Sequence, residues 1–320
     1  MDDNAQKGLV YCSLLALQFG LQPILASKFT SSSVSKSSVV IATELGKILI
    51  ALTSIAGGPK ADREKIVQNW SIGDSLRVAA LPATLYAIQN LLVQYGYIYL
   101  DSMTFNLLNQ TKTLSAAFWL WVIMGKKQSG MQMVALLLLL TAALVLNMGD
   151  KLGSMSFGGD ALSPTYQMGV LCVAGASMLS GLSAALTQRA LVGAQQRHPL
   201  FFSAELAVYG ILFLLGNLYF NSDMKGSILS GWDLKTLIPV STNAFGGLVV
   251  GLVTKYAGGV VKGFALIAGI IITGLAQFLI DGKPLGQKDL VGVVLVSVSI
   301  YLHSKYPYVE KAKVEKAKKQ

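Results

Sequence analysis

The side chains best placed to do chemistry in this sequence are charged residues inside long apolar runs. Glu44 and Lys47 stand three positions apart, so a helix places them on one face, where opposite charges can pair. A charged side chain at mid-bilayer costs roughly 2.5–3.5 kcal/mol, so each one needs a partner, a ligand or water. The pair either neutralises itself as an intrahelical salt bridge or lines a hydrated cavity, and the sequence leaves both open.

Two lysines in apolar runs lack an acid on the same predicted helix. Lys112 shares a helical face with Phe105, Asn109 and Ala116, and the nearest acid along the chain is eleven residues away. Lys262 lies between glycines, which let backbone and ligand approach closely, although a lysine near a helix end can also extend to the interface. An unpaired buried ammonium needs an acid from another span or an anionic ligand. Two of them together could clamp a phosphorylated substrate.

Other polar side chains in the apolar runs are able to hold bases and sugar hydroxyls. They are amides and a tyrosine in two predicted spans and a buried acid in a third: Tyr86, Gln89, Asn90, Asn243 and Glu205. Hydrogen bonding between helices is the commoner use of such residues. Glu205 could also pair with Lys112 or Lys262, so the sequence leaves its role open.

The elements that carry these residues are membrane helices. Of 320 residues, 53% are hydrophobic and 13% charged, against about 25% charged in an ordinary soluble protein. A helix needs about 20 mostly apolar residues to cross hydrocarbon. Turn and charge signals separate ten such runs: 8–27, 37–56, 76–99, 102–124, 128–147, 166–192, 200–220, 236–256, 260–280 and 288–306. We therefore predict an all-α integral membrane protein with ten transmembrane helices.

The distribution of basic residues predicts the orientation. An even number of spans places both termini on the same side of the membrane. Outside the spans, thirteen basic residues lie in the terminus-side segments and seven in the opposite loops. Cytosolic segments carry the excess of Lys and Arg, so both termini are predicted to be cytosolic. The net charge of +10 is thus explained by loops that flank spans, and no nucleic-acid partner is predicted.

A weak internal repeat divides the chain into two halves. Residues 125–134 resemble residues 282–291, and residues 42–45 resemble residues 203–206, at the similar offsets of 157 and 161. The predicted domains are two five-helix repeats and a cytosolic basic tail: 1–150, 151–308 and 309–320. Because five is odd, the two halves must be inverted relative to one another, as in many secondary transporters.

Several short motifs follow one another in a specific order along the chain. They are Thr43–Lys47, Pro82–Asn90, Asn109–Thr113, Ser180–Gly181, Asn243–Gly247, Lys255–Tyr256 and Val261–Phe264. Together they resemble the nucleotide-sugar transporters of the drug/metabolite transporter superfamily, over nearly the whole chain. Residues 107–112 and 305–308 look closest to the plant-type endoplasmic-reticulum carriers of UDP-N-acetylhexosamines.

This resemblance implies a central cavity between two inverted halves, and the exchange of cytosolic UDP-GlcNAc or UDP-GalNAc for lumenal UMP by alternating access. It also implies that Glu44, Lys47, Lys112 and Lys262 belong to the cavity. UDP-galactose and CMP-sialic acid carriers have an acid and a lysine where this chain has Gln188-Arg189. This difference disfavours those two substrates, which are the alternatives within the family. A homodimer is compatible with the resemblance.

A membrane-embedded transferase is the alternative from a different class. Such an enzyme needs a catalytic base near a membrane face and usually a metal or a histidine cluster. The sequence has two histidines, His198 and His303, and no sizeable soluble segment. We therefore predict no catalysis, no metal and no other cofactor. The predicted partners are a nucleotide sugar, a nucleoside monophosphate and the lipid bilayer.

The last five residues carry lysines third and fifth from the end, at Lys318 and Lys316. This spacing resembles the dibasic signal that returns membrane proteins to the endoplasmic reticulum. A basic tail attracted to the anionic cytosolic leaflet looks similar. With the family branch, the tail predicts the endoplasmic reticulum membrane, and the Golgi membrane is the alternative.

The predicted orientation can be tested at Asn69-Trp70-Ser71, an acceptor sequence for N-glycosylation. The distribution of basic residues places this sequence in the cytosol, out of reach of the lumenal machinery. Endoglycosidase treatment of protein made in cells should therefore leave its gel mobility unchanged. A mobility shift that disappears in Asn69→Gln would reverse the orientation.

Overall fold

The computed structural model describes residues 3–31, 33–68, 70–100, 102–148, 163–193, 196–220, 230–282 and 286–308. These residues form α-helices and no strand. The helices are α1 (Asp3–Phe29), α2 (Lys36–Ala56), α3 (Lys60–Gln68), α4 (Ile72–Ser75), α5 (Leu81–Tyr99), α6 (Ser102–Gln110), α7 (Lys112–Met124), α8 (Gly130–Met148), α9 (Pro164–Val192), α10 (Pro199–Phe220), α11 (Leu237–Tyr256), α12 (Gly259–Asp281) and α13 (Gln287–Lys305). The all-α prediction is confirmed.

Seven helical stretches of the described chain are long and apolar enough to cross a membrane. They are Asp3–Phe29, Lys36–Ala56, Ile72–Gly96, Pro164–Val192, Pro199–Tyr219, Leu234–Tyr256 and Gly259–Ile280. A shorter apolar helix covers Gly130–Leu146. A helix satisfies the backbone groups of a lipid-exposed span by hydrogen bonds within the segment itself. The helical content and the apolar lengths therefore fit an integral membrane protein.

One predicted span is interrupted in the structure. The single helix expected over residues 102–124 is instead two helices, α6 and α7, separated by Thr111. At this turn the Thr111 amide donates to the Leu108 carbonyl oxygen at 3.1 Å, three residues back, so the backbone is locally tighter than in an α-helix. Phe105 is buried against Val173 of α9, whereas Lys112 opens α7.

A second departure lies at the start of the third span, which the sequence placed at residue 76. The helical stretch begins at Ile72, where the Ser71 hydroxyl accepts from the Asp74 amide at 3.2 Å. It continues through a π-helical segment, Leu76–Ala80, into α5. Pro82 in the first turn of α5 has no N–H to donate, which favours the wider turn just before it.

Four groups of helices pack closely together. α1 lies against α11 and α12, and α9 lies against α5 and α7. α2 lies against α10, and α8 lies against α13. The side of the bundle where α1 begins and α13 ends is called the termini end below. At that end Ser129 Oγ, just before α8, donates to the Tyr306 carbonyl oxygen just after α13.

α1 crosses α12 at a pair of glycines. A Cβ on Gly20 would lie 2.6 Å from the Gly269 carbonyl oxygen, and one on Gly269 would lie 2.9 Å from the Ala16 carbonyl oxygen. Thr273 Oγ1 donates to the Gly20 carbonyl oxygen across the crossing at 2.8 Å. Small residues let membrane helices approach this closely and gain dispersion contacts and hydrogen bonds. The crossing fixes the position of α12, the helix that carries Lys262.

A leucine at this crossing should destabilise the protein. Gly269→Leu drives a side chain into the backbone of α1, at a cost of about 1–3 kcal/mol or more. We expect a lower midpoint of thermal unfolding in detergent. The matched control is Gly210→Leu in α10, where a Cβ meets no heavy atom within 4 Å and the midpoint should not change. Equal midpoints for the two variants would show that the helices are not in tight contact.

Candidate ligand-binding site

The predicted ion pair on α2 is present. Lys47 Nζ and a Glu44 carboxylate oxygen form a salt bridge between positions three apart. The side chains are only 18% exposed at Lys47 and 20% exposed at Glu44. The pair is therefore neutral as a unit, mostly enclosed, and still reachable from one side.

The Lys47 side chain extends over a glycine of α11. A Cβ on Gly247 would collide with the aliphatic stem of Lys47, and a Cβ on Gly46 would lie 3.1 Å from that of Ala244. Asn243 lies four residues before Gly247, so both residues are on the face of α11 that looks toward α2. The structure thus brings Asn243 to the same helix interface as the ion pair.

Lys112 and Lys262 are the second group that the structure brings together. Their ammonium groups are electrostatic neighbours, and both residues are partly buried. The contact follows from the packing of α7 against α12, where a Cβ on Gly263 would lie 2.9 Å from Thr113 Cγ2. Within the described part of the chain, no carboxylate lies within ion-pair distance of either lysine. Two like charges at membrane depth without a counter-ion form a site that favours an anion.

The turn at Thr111 lies next to Lys112, because α7 begins at that lysine. Asn109 is the penultimate residue of α6, just before the same turn, and is partly buried. The turn therefore separates the two candidate residues by only one helix boundary.

Three predicted residues lie on α5, which packs mainly against α9 and α10. Asn90 is exposed, whereas Tyr86 and Gln89 are partly buried. Gln89 Oε1 is enclosed and has no hydrogen-bond partner among the described residues. An exposed amide within a membrane helix is costly against lipid and favourable against water. Asn90, like the exposed Asn243, is therefore best accommodated facing a hydrated interior.

Glu205 lies elsewhere, in a network at the termini end. Its Oε1 accepts from Trp70 Nε1 at 2.9 Å and lies 3.7 Å from Arg197, which also pairs with Asp74. The suggested pairing of Glu205 with Lys112 or Lys262 was wrong, because a nearer cation precedes α10. No local pattern in the sequence links Arg197 to Glu205.

This network borders a cavity of about 780 Å³ that includes His198 and Lys255. Burial lowers the pKa of His198, reinforced by the Lys255 ammonium and opposed by Asp62. His198 consequently stays neutral to a lower pH than an exposed histidine.

Comparison with known proteins identifies the chain at the family level. The nucleotide-sugar transporter family model matches residues 9–304. The chain belongs to the nucleotide-sugar transporter family. The resemblance seen in the sequence motifs is thereby confirmed, and the charged residues above lie in a transport protein.

Relatives of this transporter include plant proteins that are named for different substrates. The UDP-N-acetylglucosamine transporter ROCK1 of Arabidopsis thaliana is 38% identical over 96% of this chain and 94% of its own length. CMP-sialic acid transporter 4 of Oryza sativa subsp. indica is 28% identical over 88% of this chain and 72% of its own. A crystal structure of a protein 11% identical to the chain has a TM-score of 0.67, covering 94% of this chain and 96% of that one. The last comparison shows a shared fold alone.

Removing either unpaired lysine of this transporter should weaken ligand binding. Lys112→Ala and Lys262→Ala each remove one of two cations that would face an anionic ligand, and such a loss costs about 2–5 kcal/mol. We expect the affinity for a nucleotide sugar, measured by titration in detergent, to fall at least about thirtyfold. Lys36→Ala, an exposed lysine at the start of α2, serves as the control and should bind normally. Normal affinity in Lys112→Ala or Lys262→Ala would assign that lysine a structural role.

Proposed function

We propose that this protein is a nucleotide-sugar antiporter that exchanges cytosolic UDP-N-acetylglucosamine for lumenal UMP by alternating access. UDP-N-acetylgalactosamine, which differs in the configuration of one hydroxyl, is the second proposed substrate. The unpaired cations Lys112 and Lys262 carry the proposal, in a chain whose relative ROCK1 is a UDP-N-acetylglucosamine transporter. The diphosphate supplies the negative charge that the described residues do not.

The other candidate residues complete the proposed site. Glu44 and Lys47 are paired, so they contribute hydrogen bonds without a net charge. Tyr86, Gln89, Asn90, Asn109 and Asn243 offer amide and hydroxyl groups for the uracil, the ribose and the sugar. Glu205 is occupied by Trp70 and Arg197, and we assign it to the support of the bundle around the site. UMP shares the uridine and a phosphate with the nucleotide sugar, so one site can hold both partners of the exchange.

Alternating access is supported by signs of an inverted repeat, with ten helices in domains 1–150 and 151–308. An inverted repeat would make the first five predicted spans equivalent, in order, to the last five. The packing of α1 on α11 and α12 would then be equivalent to the packing of α9 on α5 and α7. The pairs α2–α10 and α8–α13 join equivalent helices. Gly125 and Gly282, 157 positions apart, end α7 and α12 with nearly equal φ angles of 65° and 66°.

Two tryptophans repeat the same contact at opposite ends of the bundle. Trp70 donates its indole N–H to Glu205 of α10 at 2.9 Å. Trp232, 162 positions later, donates to the Ser38 hydroxyl of α2, also at 2.9 Å. Each precedes the third span of one proposed half and contacts the second span of the other. Such an exchange of partners is what two inverted halves produce.

The cellular arrangement belongs to the same proposal. The excess of basic residues in terminus-side segments supports cytosolic termini. We place the transporter in the endoplasmic reticulum membrane, with the Golgi membrane as the alternative. Lys316 and Lys318 of the tail, which lie outside the described residues, support this location. A homodimer is part of the proposal and is measurable from the mass of the detergent-solubilised protein.

Uptake into liposomes tests the proposed exchange. Purified protein should take up radiolabelled UDP-N-acetylglucosamine at least about tenfold faster into vesicles preloaded with UMP than into empty vesicles. A panel of UDP-galactose, CMP-sialic acid and GDP sugars should show weaker uptake. Preferred uptake of CMP-sialic acid or UDP-galactose would change the proposed substrate but leave the family assignment unaffected. Labelled sugar recovered on a new acceptor would instead indicate a transferase.

A further inference from the structure

A second cavity at the termini end, of about 600 Å³, is separate from the proposed substrate site. Its lining comes from the α7–α8 connection, the start of α12 and the ends of α9 and α13. None of the ten candidate substrate residues lines it. Two of the lining residues are Lys126 and Lys127, and none is an acid. The charge of this cavity is therefore positive.

Gln188 provides a buried donor inside the cavity. The residue is only 4% exposed, and its Oε1 accepts from the Gly259 amide at 2.8 Å. That bond fixes the orientation of the side-chain amide, because only the oxygen can accept from an N–H. Nε2 consequently projects on the other side, and no residue in the described ranges accepts a hydrogen bond from it. Leaving the Gln188 Nε2 donor without an acceptor costs free energy, so a ligand oxygen that accepts from it would be favoured there.

The first turn of α12 contributes further donors. α12 is 23 residues long and begins at Gly259, after Gly258 with a φ of 94° that favours glycine. Val260 and Val261 line the cavity, and amides in the first turn of a helix have no acceptor within that helix. The positive end of the helix dipole therefore points into the same space.

Lys126 and Lys127 are exposed residues that line the cavity. Partial burial of the Lys126 ammonium lowers its pKa, because the charged form has lost part of its hydration. An anion placed in the cavity would restore favourable interactions that water supplies elsewhere. Lysine, amide and backbone donors around one space are the groups that phosphate oxygens accept from.

We propose that this cavity binds a phosphate group, held by Lys126, Lys127, Gln188 Nε2 and the amides of Val260 and Val261 in the first turn of α12. The group is either the headgroup of an anionic lipid or a soluble phosphate. Basic pockets between membrane helices on the cytosolic side suit lipid headgroups. The inference is independent of the substrate proposed above, because binding at this cavity is measured without transport.

Binding is tested on the full-length protein with two probes. Native mass spectrometry measures phosphatidic acid bound from phosphatidylcholine nanodiscs, and thermal stabilisation in detergent measures inorganic phosphate. Lys126→Gln combined with Lys127→Gln should weaken binding of the active probe at least about tenfold. Gln188→Glu keeps an oxygen for the Gly259 amide but replaces the free donor with a negative charge, and should weaken binding as strongly. Lys60→Gln combined with Arg63→Gln removes two exposed charges of α3 at the same end and should bind normally.

The outcomes distinguish a lipid headgroup from a soluble phosphate, and they also test the proposal itself. Binding of phosphatidic acid that is lost in both variants supports a lipid headgroup site, and the same pattern with inorganic phosphate supports a soluble ligand. If Gln188→Glu unfolds at a lower temperature than the parent, the double lysine variant decides the result. Binding of neither probe, or binding that the double lysine variant leaves unchanged, overturns the proposal.

Discussion

Two neighbouring ammonium groups, with no carboxylate paired to them among the described residues, are the constraint on which the rest of this structure depends. Lys112 and Lys262 repel one another in surroundings less polarisable than water, where the repulsion is stronger than in solution. Close helix contacts oppose that repulsion, with α12 fixed to α1 at Gly269 and to α7 at Gly263. The lysines are thus held in place before a ligand arrives. A dianionic ligand would then bind without a large ordering cost.

The parts of the site that the sequence predicted are those governed by local spacing or by charge in an apolar run. Glu44 and Lys47 pair because three residues along a helix bring side chains together in any fold. Lys112 and Lys262 were expected to meet because each lacked an acid on its own helix, and the structure places them as neighbours. The ordered motifs identified the family, which the match over residues 9–304 confirms.

The parts that the sequence did not predict depend on contacts between distant residues or on competing hydrogen bonds. Glu205 interacts with Arg197 and Trp70, because the start of α10 and the connection before α5 fold against each other. The turn at Thr111 is a local tightening of the backbone, with the Thr111 amide bonded three residues back to the Leu108 carbonyl oxygen, and hydropathy does not register it. In the sequence, Gln188 is noted only as a difference from the UDP-galactose and CMP-sialic acid carriers. Its bond to the first amide of α12 gives it a structural role.

The two tryptophan contacts have different strengths, although their geometry is alike. Trp70 donates to a carboxylate that also interacts with Arg197, whereas Trp232 donates to the neutral hydroxyl of Ser38. Hydrogen bonds to an ionised acceptor are roughly twice as strong as those between neutral groups. In the proposed alternating-access cycle, opening the termini end would break the bond to the ionised acceptor, whereas opening the opposite end would break the weaker one. A ligand that arrives at the termini end would therefore have to prefer the open conformation by enough to offset the loss of the stronger bond.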